Sequence, residues 1–125
     1  MKTSTILLLV SDQLVRSVFQ ETLEHQGYVV LPTGDLGSAV IQLRQGDPDL
    51  LITRTYVSTM TGHEAAKYLR TKRPGLRVLI VGGLLVDDRL QVRDTLEHFD
   101  VFPKPYTAAQ LLEKVKEVLA RPSGG

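Results

Sequence analysis

A chain of 125 residues, 42% hydrophobic and 23% charged, has the size and composition of one compact domain with a real core. Fifteen Lys and Arg against fourteen Asp and Glu leave a net charge of +1. With no block of like charge, nothing in that balance draws this domain alone to nucleic acid or to an anionic membrane. The absence of cysteine excludes disulfides, thiolate metal sites and a thiol nucleophile together.

The first element is the continuous apolar run Ile6-Leu7-Leu8-Leu9-Val10, as a strand covered on both faces should be. Such a run is too short for a signal-peptide core or a bilayer span, so the expected compartment is the cytoplasm. Val15, Val18, Phe19, Thr22 and Leu23 then recur at helical spacing, and Gly27 stands where that helix stops. Tyr28-Val29-Val30-Leu31 reads as a second strand, closed by Pro32-Thr33-Gly34. Asp35 caps a helix whose inner face carries Leu36, Ala39, Val40 and Leu43.

Pro48-Asp49 leads into a third strand, Leu50-Leu51-Ile52-Thr53, and Gly62 to Arg70 gives a shorter helix with Ala65, Ala66 and Leu69. Ser58, Thr59 and Thr61 read as loop residues between them. After Pro74-Gly75, Val78-Leu79-Ile80-Val81 is the clearest buried strand. Asp87 or Asp88 opens a fourth helix with Leu90, Arg93 and Leu96, and Val101-Phe102 is a brief fifth strand. The last helix starts near Thr107, with Leu111, Leu112, Val115, Val118 and Leu119 on one side. Strict alternation of strand and helix predicts an α/β fold: one five-stranded parallel doubly wound sheet with helices on both faces. Residues 1–120 form the predicted domain, and 121–125 a flexible tail or shortened linker.

In an open sheet of this kind, sites form beyond the carboxyl ends of the strands, where strand order reverses. The residues there are Val10-Ser11-Asp12, Thr53-Arg54-Thr55, Gly82-Gly83 and Pro103-Lys104-Pro105. From about Ile6 to Leu119 the order and punctuation resemble the response-regulator receiver family, a flavodoxin-like (βα)5 fold. Pro48-Asp49-Leu50-Leu51-Ile52, Gly62 after a long loop, and Phe102-Pro103-Lys104-Pro105-Tyr106 carry the resemblance.

The resemblance implies an aspartate at the end of the third strand that accepts phosphate from a histidine kinase. Here that position is Arg54, with Thr53 and Thr55 on either side, so a register error of one residue does not supply a carboxylate. Asp49, five residues back, lies roughly 16 Å away along a strand. The family's acidic pair for magnesium falls on Val10 and Ser11, or on Ser11 and Asp12 after a one-residue deletion. At most one carboxylate remains, so no metal is expected. The switch hydroxyl falls on Gly82 and the switch aromatic on Val101. Lys104 alone keeps its family identity, before a Lys104–Pro105 bond that the resemblance implies is cis.

Arg54 admits several readings: a partly solvated loop residue without a role, a charge that replaces the magnesium and pairs with Asp12, or an anion site with Lys104. Asp12 equally fits the N-cap of the first helix. Leu84-Leu85-Val86 either tucks under the fourth helix or, if exposed, extends the face of fourth helix, fifth strand and fifth helix. Through that face, receiver-family domains commonly dimerise or meet effectors. His25, His63 and His98 lie apart in polar stretches and read as surface residues, and no nucleophile–base pair or cofactor motif stands out.

The reading is a receiver-like signalling domain of a two-component or phosphorelay pathway. It acts by protein–protein contact, with a separate partner or an attached output domain, without phosphorylation, cofactor or enzymatic activity. The alternative is a domain that senses a small anion or nucleotide phosphate in the Arg54/Lys104 cleft.

Overall fold

Seven short strands and four helices follow one another along the described residues of the computed structural model, which are 3–82, 100–102 and 107–121. In order they are β1 (Thr5–Leu9), α1 (Gln13–His25), β2 (Val29–Thr33), α2 (Leu36–Gly46), β3 (Leu50–Arg54), β4 (Tyr56–Val57), β5 (Met60–Thr61), α3 (Gly62–Lys72), β6 (Arg77–Val81), β7 (Asp100–Phe102) and α4 (Ala108–Ala120). Of the seven strands so labelled, five form one parallel sheet in the order β2-β1-β3-β6-β7. The chain steps from β1 outward to β2, then back across to β3, so strand order reverses between β1 and β3. This is the doubly wound α/β sheet that the alternation of strands and helices predicts.

Both faces of the sheet are covered, which is why residues 6–9, 50–52 and 78–81 are apolar at successive positions. Ile6, Leu8, Leu50, Ile52 and Leu79 point to one side, where Phe19 and Leu23 of α1 and Leu111, Val115 and Val118 of α4 meet them. Leu7, Leu9, Leu51, Val78 and Ile80 point to the other, against Ala39 and Leu43 of α2 and Ala65, Ala66 and Leu69 of α3. Each large side chain so buried contributes roughly 1.5–3 kcal/mol. No helix among the described residues is long and apolar enough to cross a membrane.

The helices start where their first side chains can cap them. Asp12, Asp35, Thr61 and Thr107 each accept a backbone N–H from three residues on, and Thr61 and Thr107 form reciprocal capping boxes with Glu64 and Gln110. After α1 the chain turns through Gly27 at φ +95°, a left-handed conformation that glycine adopts without a Cβ clash.

Asp35 carries a pH dependence with a fixed sign. The Ser38 backbone N–H (2.8 Å), then the Ser38 hydroxyl (3.2 Å), hold its carboxyl below its ordinary value of 3.8. The folded value is the lower one, so the cap's contribution is complete above 3.8 and fades as pH falls through the depressed value. Carboxyl NMR titration should place the Asp35 midpoint under 3.8, and Asp35→Ala should flatten that part of the acid limb of stability.

Four local expectations change. β2 runs on through Pro32 and Thr33 rather than ending at Leu31. The Val29 N–H donates to Ser4 and the Thr33 carbonyl accepts from Val10, so by the period of two Pro32 turns its missing N–H away from β1, at the sheet edge. Ser58 and Thr59 are loop residues as expected, at the tip of an antiparallel hairpin, β4–β5, but Thr61 is a helix cap at the end of β5 and not a loop residue. Val18 lies 63% exposed, because the buried stripe of α1 is Phe19 and Leu23, with Val15 partly covered. His63, one residue into α3, is half-buried and not a surface histidine, since the α3 N-terminus sits close against the end of β3.

Candidate functional site

The carboxyl ends of β1, β3 and β6 lie side by side. Leu9 pairs with Thr53 and Arg54 with Val81, which places Ser11, Arg54 and Gly82 on three neighbouring strand ends. Thr53, fully buried, donates its hydroxyl to the Leu9 carbonyl at 2.8 Å and locks β3 against β1. Directly beyond β3, the Gly62 N–H donates to the Thr55 carbonyl at 2.7 Å, closing the hairpin back onto the strand. A Cβ at Gly62 would run into the Arg54 carbonyl oxygen, 3.1 Å from its carbon and 3.3 Å from Thr53 Cγ2.

Around this end the polar groups are few. Ser11 is exposed, and its hydroxyl accepts the Ser58 N–H at 3.4 Å, where Ser58 holds the left-handed φ of 56°. The Asp12 carboxylate accepts the Val15 N–H at 3.0 Å as the α1 cap. Arg16 reaches back from α1, and its Nη1 donates to the Val10 carbonyl at 2.7 Å. Among the described residues, the end of β1 thus carries one carboxylate, Asp12, and one guanidinium, Arg16.

Arg54 ends β3 on the same side as Leu50 and Ile52, because side chains alternate along a strand. It is half-buried, and its Nε is buried with no hydrogen-bond partner among the described residues. It lines a cavity of about 300 Å³ between α1 and α4, walled by Val15, Val18, Phe19, Thr22, Ala108 and Leu111. No ion pair joins it to a carboxylate among the described residues. Nor do these residues hold a cluster of three or more His, Asp or Glu suited to a metal ion.

The model of the response regulator receiver domain matches residues 6–116. The chain belongs to this family. It is 25% identical over 118 residues to the "Probable transcriptional regulatory protein TcrX" of Mycobacterium tuberculosis, covering 94% of this chain and 50% of that one. It is 26% identical over 125 residues to the DNA-binding transcriptional regulator NtrC of a Bradyrhizobium strain, covering 98% of this chain and 25% of NtrC. The chain thus spans half or less of the length of these relatives. Among solved structures, a CheY-like receiver domain from Methanospirillum hungatei superposes with a TM-score of 0.83 at 24% identity, over 94% of each chain.

In this receiver domain, Ser11, Asp12, Arg54 and Gly82 come together at the strand ends as the sequence suggests. Val101, in β7, sits one strand further out, its backbone paired with Ile80 of β6. Lys104, the Lys104–Pro105 bond, the fourth helix and Leu84-Leu85-Val86 lie outside the described residues. The expected Asp12–Arg54 pair does not form: Asp12 is engaged by the α1 backbone, while Arg54 follows the β3 pleat under α1 and α4. Asp49 is at the opposite end of the sheet, where its carboxylate accepts the Thr5 N–H at 2.8 Å. Sequence reasoning missed the α1–α4 cavity. Its one available signal was the period-two alternation Leu50, Ile52, Arg54, which assigns the arginine to the face that α1 covers.

Proposed function

We propose that this receiver domain signals through protein contact, with a separate partner or an attached output domain, and is not phosphorylated at the end of β3. One observation carries the reading: the last residue of β3 is Arg54, with Gly62 packed close against its carbonyl. An acyl phosphate needs a carboxylate nucleophile, and a guanidinium offers only N–H donors. Thr53 and Thr55 are its neighbours, so no slip of register brings a carboxylate to this point.

The magnesium ion that the family implies does not fit the donor set here. Magnesium takes near-octahedral oxygen ligands with carboxylates among them. Asp12 is the single carboxylate that the described residues bring to these strand ends, and it already caps α1. Arg54, at the end of β3, and Arg16, on the Val10 carbonyl, are cations that offer a metal ion no lone pair. Gly82 has no hydroxyl to offer a phosphoryl oxygen.

The test is incubation of the full chain with magnesium and acetyl phosphate, read by intact mass beside a phosphorylatable receiver. The expected result is no phosphoryl adduct on this chain. A stoichiometric adduct, acid-labile or acid-stable, would overturn the reading.

A second reading draws on the unpartnered Nε: sensing of a small anion or nucleotide phosphate between Arg54 and Lys104. Titration with inorganic phosphate and with a nucleotide, followed by thermal shift, separates it from the first.

A further inference from the structure

We infer that the cavity between α1 and α4 is a binding site for a small organic monocarboxylate, a carboxylate on a short apolar chain or ring, with Arg54 as its anchor. This site is independent of phosphorylation and adds to the contact reading above.

Two features combine at one place. The Arg54 Nε–H is buried without an acceptor among the described residues, although a guanidinium drives its donors strongly toward oxygen. Beside it lies about 300 Å³ of space, at the lower end of the range of small-molecule pockets. Such a volume holds a small metabolite and excludes a folded partner.

The walls choose among anions. Val15, Phe19, Ala108 and Leu111 are apolar, and the Thr22 hydroxyl is the other side-chain polar group among the described lining residues. A carboxylate pairs with a guanidinium through two parallel hydrogen bonds, which would supply the missing acceptor at Nε. The apolar body would then cover the α1 and α4 walls and remove them from water. Inorganic phosphate has no such body: it would surrender its hydration while leaving the walls uncovered. Val18, 63% exposed, stands at the mouth where a ligand would enter.

The experiment is a ¹H–¹⁵N NMR titration of the full chain with octanoate and benzoate, with octanamide as the neutral counterpart and inorganic phosphate as the bodiless anion. Saturable shifts are expected at Val15, Phe19, Thr22 and Leu111. Octanoate should bind about ten- to a hundredfold more tightly than octanamide, the fold-change worth of a hydrogen bond to a charged group. Arg54→Met should erase that preference while leaving the spectrum of a folded domain, and Arg54→Lys should retain part of it. No saturable binding of either carboxylate, equal binding of octanoate and octanamide, phosphate matching octanoate, or octanoate affinity unchanged in Arg54→Met would each overturn the assignment. The acetyl phosphate measurement reads the absence of phosphotransfer by itself, so either conclusion can fail without the other.

Discussion

Gly62→Ala is expected to destabilise the domain by about 2–3 kcal/mol, as overpacking of a closed site does. The cause is a backbone approach. A Cβ at this position meets the Arg54 carbonyl group and Thr53 Cγ2, atoms that belong to a buried parallel ladder. Thr53 is locked to Leu9 and cannot yield, and the Gly62 N–H is itself bonded to Thr55 at 2.7 Å. To make room, α3 must lift from the end of β3, and that breaks the Gly62–Thr55 bond and opens the cover over Ala65, Ala66 and Leu69. Gly46→Ala is the control. A Cβ there meets only the Leu31 side chain, which can rotate, and alanine favours the helix by up to about 1 kcal/mol. The chain has no tryptophan, so urea unfolding followed by far-UV circular dichroism is the measurement. The midpoint should fall steeply for Gly62→Ala and barely move for Gly46→Ala, both with an unchanged slope. Equal effects would mean that the β3–α3 approach is looser than described.

The legible and illegible parts of this chain divide along a physical line. Strands such as Leu50-Leu51-Ile52 and Val78-Leu79-Ile80-Val81 announce themselves because a sheet covered on both faces needs apolar residues at successive positions. The caps Asp12 and Asp35 are equally readable, since a side-chain acceptor before an amphipathic run has one obvious use. Pro32 misled the reading of β2 because its effect depends on whether a strand lies at an edge, and strand order is a tertiary property. Val18 misled it because α1 meets α4 across an open cavity, leaving a residue of the apolar stripe uncovered.

The candidate site divides the same way. Which residues gather at the strand ends follows from topology, and Ser11, Asp12, Arg54 and Gly82 do gather there. What Arg54 touches does not follow from topology. A long side chain chooses between a carboxylate at its own level and the space beneath the helices, and the choice turns on Asp12 already being held by the Val15 N–H.

That choice has a measurable consequence in the unliganded protein. Arg54→Met is expected to stabilise the domain by about 1–2 kcal/mol, a gain at the lower end of what hydrophobic replacement of buried charge gives, because Arg54 is only half-buried. Methionine keeps an unbranched apolar stem beside Val15, Phe19 and Leu111 and removes the donor that has no acceptor. For a chain of 125 residues each kcal/mol corresponds to roughly 3–5 °C in Tm, which thermal unfolding resolves easily. Arg54→Asp should move the other way, since it sets a carboxylate beside the same apolar walls. A residue kept for stability would show the reverse order, with Arg54→Met the weaker protein, and a loss above about 1 kcal/mol would mean that the guanidinium has a partner in solution. A gain in stability joined to loss of carboxylate binding is the pattern of a site whose unsatisfied donor is retained for a ligand, because the cost of leaving it open is then recovered only when the ligand arrives.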